Sequence, residues 1–187
     1  MNGTSPLHMP SAEEIAGFET DGFVVLRQVL DPEWSNLDGA CQRLMRALAV
    51  LDITEETVRS AVPRSSAGLF VAEPCEAKLD GRGCFRMHVN TARREAAVLD
   101  FCMKGAVGAL AGALMRSDTV RFVDDILFVK EPGTEEPTEW HDDNAGGVAT
   151  GTQRCSVWVS LADAPEEAGP VRFLRGCLSV ESYSHGL

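Results

Sequence analysis

The stretch Thr138-Glu139-Trp140-His141-Asp142-Asp143 decides how the rest of this sequence is read. Before it lies an eleven-residue run with strand character, Val120 to Lys130, and then a turn signal, Glu131-Pro132-Gly133. In an extended chain side chains alternate between faces, so His141 and Asp143 point one way and Asp142 the other. An imidazole and a carboxylate on one face make half of a metal site. Two histidines and one carboxylate form the facial triad that holds non-haem Fe(II) and leaves positions open for cosubstrate and oxygen. The bland reading of a lone His-x-Asp is a solvated surface pair, and the triplet alone leaves both readings standing.

The neighbourhood adds weight. Asp125-Ile126-Leu127-Phe128-Val129-Lys130-Glu131-Pro132-Gly133-Thr134, followed by Pro137 to Asp143, resembles the phytanoyl-CoA dioxygenase family of Fe(II)- and 2-oxoglutarate-dependent oxygenases. Ser156-Val157-Trp158-Val159-Ser160-Leu161-Ala162-Asp163 looks like that family's strand ending in a leucine-aspartate turn. Gly169-Pro170-Val171-Arg172-Phe173-Leu174-Arg175-Gly176 resembles its late glycine-bounded strand, and Phe18 to Arg27 reads like its opening motif. Several motifs in the right order, from about Phe18 to Gly176, are more specific than any one of them.

Bulk properties narrow the alternatives. The chain has 187 residues, enough for one domain with a sizeable core. Hydrophobic residues are 44% and charged residues 24%, ordinary values for a globular protein. A net charge of −11, from 28 acidic and 17 basic residues, argues against binding to phosphate backbones or anionic membranes. Met1 to Pro10 lacks the pattern of a signal peptide, and no stretch reads as a membrane-spanning helix. Cysteines 41, 75, 84, 102, 155 and 177 form no C-x-x-C pair, so a zinc site is not indicated. Free thiols in a reducing cytoplasm are the expectation.

Along the chain, Ser11-Ala12-Glu13-Glu14 is a capping box opening a short helix that Gly22 ends. Phe23 to Leu26 reads as a strand. Asp31-Pro32 starts a helix whose stripe is Leu37, Cys41, Leu44, Met45 and Leu48, a packing face rather than a cofactor box. Thr54 caps another short helix through Val62. Pro63 to Gly83 is expected to be a long loop, the kind that is functional or mobile; the resemblance puts it beside the substrate pocket. Cys84 to Val89 alternates weakly as a strand. Its His88 could be a ligand, but a histidine at a strand end bonded to backbone or solvent is the preferred reading. Arg86 would meet an anionic substrate or a nearby carboxylate. Ala92 to Cys102 and Lys104 to Met115 read as helices, with Val107, Leu110 and Leu114 on one face.

The second half is strand-rich. Val120 to Lys130 places Phe122, Ile126, Phe128 and Lys130 on one face, with Asp125, Leu127 and Val129 on the other. In Gln153 to Leu161, Cys155, Val157, Val159 and Leu161 make an apolar face, and Arg154, Ser156, Trp158 and Ser160 a polar one. That polar face suits a ligand-holding barrel lumen or a solvent edge. Val171 to Leu174 is a last strand. Helices first and strands after predict an α+β fold, with N-terminal helices packed on part of a jelly roll. With the resemblance this becomes a cupin-like double-stranded β-helix.

The resemblance also implies chemistry. The cofactors are Fe(II) and 2-oxoglutarate, and the reaction is hydroxylation of an unactivated C–H bond in a small-molecule substrate. His141 and Asp143 match the first two metal ligands. Related halogenases carry a small residue in place of the carboxylate, so Asp143 points to hydroxylation. Ile126 and Trp158 match positions that line the 2-oxoglutarate site; both read equally well as core residues. Asp142 stands where the family usually has glutamine. Gly176-Cys177-Leu178 replaces the expected Gly-Ser-His, and the sequence ends eleven residues after Gly176. The family's distal histidine ligand and its 2-oxoglutarate-gripping cation find no match, since His185 lies too near Gly176. Residues 1–187 are thus expected to be a single dioxygenase-like domain, C-terminally truncated relative to the family. Its open sheet edges would favour self-association. The alternative is a catalytically inactive fragment or isoform acting as a binding protein, and a cupin-type metal protein is disfavoured by only four histidines. The substrate is open, although the acidic balance disfavours an anionic CoA ester.

Overall fold

The structure, a computed structural model, describes residues 5–31, 37, 39–42, 75–80, 83–135, 137–141, 143 and 153–176. The readings at Leu44, Met45 and Leu48, at Thr54 to Val62, at 63–74, and at Asp142, Cys177 and His185 lie outside the described residues. The chain divides into two compact units. One comprises Met1–Pro32, Met103–Phe122 and Thr138–Leu187, and the other Glu33–Cys102 and Val123–Pro137.

In the first unit, helix α1 (Ala12–Asp21) begins as the sequence predicts. The Ser11 hydroxyl accepts from Glu14 N–H at 3.2 Å, and the Glu14 carboxylate accepts from Ser11 N–H at 2.8 Å. These bonds to Ser11 hold the Glu14 carboxyl below its ordinary pKa. Gly22 ends the helix with a left-handed φ of 86°, a conformation that is costly for residues with a Cβ, and donates its N–H to Phe18 C=O at 3.0 Å. A core forms where Val29, Ala106 and Leu110 are buried together, with Leu26 and Leu30 packed against them. Fully burying a leucine such as Leu110 contributes roughly 1.5–3 kcal/mol.

The second unit carries one three-stranded antiparallel sheet in the order β1 (Cys75–Asp80), β2 (Gly83–Val89), β3 (Ile126–Lys130). The long loop expected over Pro63 to Gly83 is corrected here: Cys75–Asp80 is a strand, with Asp80 opposite Gly83 and Cys75 opposite His88. Its Cys-Glu-Ala-Lys-Leu-Asp sequence has little intrinsic strand preference, and the ladder to β2 overrides it. The available signal was Gly81-Arg82, a glycine-first pair between the paired positions Asp80 and Gly83, as short hairpins favour. Directly opposite residues share a face. The register therefore places Arg86 and His88 with Val129 and Leu127, and Phe85 and Met87 with Lys130 and Phe128. Burial along β3 alternates, with Leu127 and Val129 half-buried and Ile126, Phe128 and Lys130 exposed.

His88 lies next to the end of the central strand and is fully buried, so of the two expected partners, backbone or solvent, solvent is removed. Burial first, then the charges of Arg94 and Arg86, lower its pKa, so the ring is neutral at pH 7.

After β2, a 3-10 turn (Thr91–Arg93) leads to helix α2 (Ala96–Lys104) and, after Gly105-Ala106, helix α3 (Val107–Leu114). Ala96–Leu114, 19 residues, is long and apolar enough to cross a membrane by length and composition, where no such stretch was expected. A core helix passes the same test, and Val98, Phe101, Leu110 and Leu114 are buried.

Among the described residues no ladder forms at 23–26, 120–125, 153–161 or 171–174, where strands were expected. Alternation sets which face a side chain takes, but a strand exists only where another backbone pairs with it. The described fold is thus helices with a small antiparallel sheet. Cys102 and Cys155 are free thiols. Burial, then the Asp125 charge, pushes Cys102 up to about 11, and burial also raises Cys155; neither is a ready nucleophile at neutral pH.

Candidate metal centre

The motif that begins at Asp125 is locally built by its own residues. The Asp125 carboxylate accepts from Thr91 N–H at 2.9 Å, from Ala92 N–H at 3.0 Å and from the Thr91 hydroxyl. Its backbone C=O accepts from Asn90 N–H at 2.7 Å. Asp125 thereby fastens the start of β3 to the turn that follows β2. Glu131 pairs with Arg86 at 3.1 Å, which gives Arg86 the nearby-carboxylate role. Pro132 and Gly133 then form a turn closed by Thr134 N–H to Glu131 C=O at 3.2 Å. Proline at the second position and a glycine φ of 93° at the third are what a type II turn needs. Thr134 comes so close to Gly83 that a Cβ built there would lie 2.6 Å from its backbone nitrogen.

Beyond the turn the character changes. Trp140 is 65% exposed, and the side chains of His141 and Asp143 are 62% and 64% exposed. These two side chains nevertheless meet, with His141 Nε2 3.4 Å from Asp143 Oδ1, although Asp143 lies in a 3-10 turn and not in the extended chain the alternation assumed. Each is also held from behind. His141 Nδ1 lies 2.8 Å from Glu139 C=O. A carbonyl only accepts, so Nδ1 carries the proton, and in the neutral ring Nε2 presents its lone pair. Asp143 Oδ2 accepts from the Ser156 hydroxyl at 2.9 Å. A nitrogen lone pair and a carboxylate oxygen therefore face each other, an arrangement that a shared cation or proton satisfies.

The separation suits a metal: two donors each roughly 2.1 Å from one ion can lie up to about 4 Å apart. One nitrogen and one oxygen are also two of the three donors in an Fe(II) facial triad. Among the described residues no group of three or more His, Cys, Asp or Glu side chains gathers as a metal site.

The other two expected site residues, Trp158 and Ile126, are both exposed. Trp158 is 53% exposed, two residues beyond Ser156. Ile126 is 44% exposed on the open face of β3, beside Phe128, whose ring stacks on Phe85 with centroids 5.8 Å apart. Ser156 was missed as a partner of Asp143. The signal was its place on the polar side of the 153–161 alternation, together with Trp158. An open groove of about 520 Å³ in the same unit as His141 is lined by Met9, Gly108, Gly112, Arg116 and neighbours; neither His141 nor Asp143 lines it.

The sequence model of the phytanoyl-CoA dioxygenase (PhyH) family matches residues 18–179, a span that contains His141, Asp143, Ile126 and Trp158. No curated protein and no solved structure matches the chain significantly.

Proposed function

The chain belongs to the phytanoyl-CoA dioxygenase family, and from that premise we propose that it is an Fe(II)- and 2-oxoglutarate-dependent dioxygenase hydroxylating an unactivated C–H bond of a small molecule. Members of the family use Fe(II) and 2-oxoglutarate. The observation that carries the reading is the pair His141 Nε2 and Asp143 Oδ1, 3.4 Å apart and exposed, within the matched span.

In this reading His141 binds iron through Nε2 because Glu139 C=O holds the proton on Nδ1. Asp143 binds through Oδ1 and contributes negative charge against the dication. The iron and 2-oxoglutarate, when bound, supply the oxygen activation, and the protein supplies ligand geometry and a pocket. Trp158, in the same unit as His141 and Asp143, lines that pocket. Membership of the family supports a cupin-like fold.

The test is succinate release from 2-oxoglutarate by the 187-residue chain with Fe(II), beside a His141→Ala control. Turnover that disappears in the control supports the reading. Equal turnover, or none in either protein, counts against it.

A further inference from the structure

We propose that Ser156 is a positioning residue for the metal centre, holding Asp143 so that it offers one oxygen, not two. This rests on the reading of His141 and Asp143 as metal ligands. An exposed aspartate is free to turn about its terminal torsion, which is broad and roughly two-fold, so either oxygen or both can reach an ion. Here the two oxygens are distinguished. Oδ2 accepts the Ser156 hydroxyl at 2.9 Å, while Oδ1 faces His141 Nε2 at 3.4 Å.

The consequence is coordination number. A carboxylate bound through both oxygens occupies two positions, and one bound through a single oxygen occupies one. A facial triad is useful because it leaves positions open. With Oδ2 already accepting a hydroxyl, a hydrogen bond to a charged acceptor restrains the carboxylate's rotation and draws on that oxygen's lone-pair density, which favours binding through Oδ1 over the four-membered chelate. The device matches the one on the other ligand, where Glu139 C=O fixes the His141 ring at 2.8 Å. Ser156 is itself exposed, so burial does not demand a partner for its hydroxyl. Its effect therefore falls on metal binding and not on folding.

The experiment titrates the full 187-residue chain anaerobically with Co(II), whose visible d–d absorption reports coordination number. Four proteins are compared: the parent, Ser156→Ala, Ser156→Thr and His141→Ala. The expected result is about tenfold weaker Co(II) binding in Ser156→Ala. Its d–d band changes in intensity, Ser156→Thr restores both properties, and metal-free unfolding midpoints stay together. If Ser156→Ala matches the parent in affinity and spectrum while His141→Ala loses the metal, Ser156 has no positioning role and the ligand assignment stands. If Ser156→Thr behaves like Ser156→Ala, the hydroxyl is not responsible, and the proposal is overturned. If the parent binds no better than His141→Ala, the ligand assignment itself fails and takes the proposal with it.

Discussion

The segment from Asp125 to Thr134 and the segment from Trp140 to Asp143 are one continuous motif in the sequence but two different physical environments. In the first, Asp125 serves three donors around Thr91, Glu131 answers Arg86, and Thr134 sits against Gly83. Packing and hydrogen bonding explain why those residues are there. In the second, Trp140, His141 and Asp143 are more than half exposed, His141 meets Glu139 C=O, and Asp143 meets the Ser156 hydroxyl. No packing demand calls for an imidazole facing a carboxylate in water. A residue whose presence the fold does not require is the better candidate for chemistry, and that contrast separates scaffold from site within a single motif.

The comparison breaks most visibly at Asp125. Asp125→Ala leaves the N–H groups of Thr91 and Ala92 and the Thr91 hydroxyl without their acceptor, and Thr91 and Ala92 are buried. Unsatisfied buried donors cost about 1–3 kcal/mol each, so a loss of roughly 3–5 kcal/mol is expected in urea unfolding. A loss under about 1 kcal/mol would remove Asp125 from the scaffold.

Gly83→Ala should rank next. The new Cβ would meet Thr134 N at 2.6 Å, its hydroxyl at 2.7 Å and Glu131 C=O at 2.9 Å, so backbone must move. Overpacking of this kind costs about 1–3 kcal/mol. An unfolding midpoint equal to that of the parent would show that the turn does not press on β2.

His88 sharpens the same contrast through pH. Its folded pKa lies below the ordinary 6.5 because burial and two arginines oppose the charged ring. The unfolded chain therefore takes up the proton first as pH falls. The stability linked to neutral His88 is full above about pH 6.5 and declines as pH drops toward the folded value. The slope from this one proton is at most about 1.4 kcal/mol per pH unit. Denaturation midpoints measured from pH 7 downward should fall less steeply in His88→Leu than in the parent; parallel slopes would place the acid sensitivity elsewhere.

The smallest effect on stability belongs to the site. His141→Ala, at an exposed position, should shift metal-free stability by no more than about 0.5 kcal/mol, while Fe(II) binding measured by equilibrium dialysis is lost. A large destabilisation would make His141 part of the scaffold and erase the contrast.

Local grammar was legible in the sequence. The Ser11–Glu14 capping box, the Gly22 helix end, the Glu131–Thr134 turn and the face alternation of 126–130 each depend on neighbours within a few residues, and each appears as read. His141 and Asp143 are near neighbours too, but the 3-10 turn at Asp143, not strand alternation, accompanies their meeting. What required tertiary structure was partnership between distant residues. Cys75–Asp80 is a strand because β2 pairs with it, despite its own weak preference. Alternation over 153–161 set out a polar side but not a ladder. Asp125 looked like one more motif letter until the Thr91 turn, 34 residues away, came to its carboxylate. Ser156 gained its meaning from Asp143, 13 residues earlier. The sequence by itself determined which residue types could cap, turn, bury or ligate, because those properties belong to each side chain and its near neighbours. Only the tertiary structure decided which distant group each one serves, because hydrogen bonds act over about 3 Å and sequence separation says little about that distance.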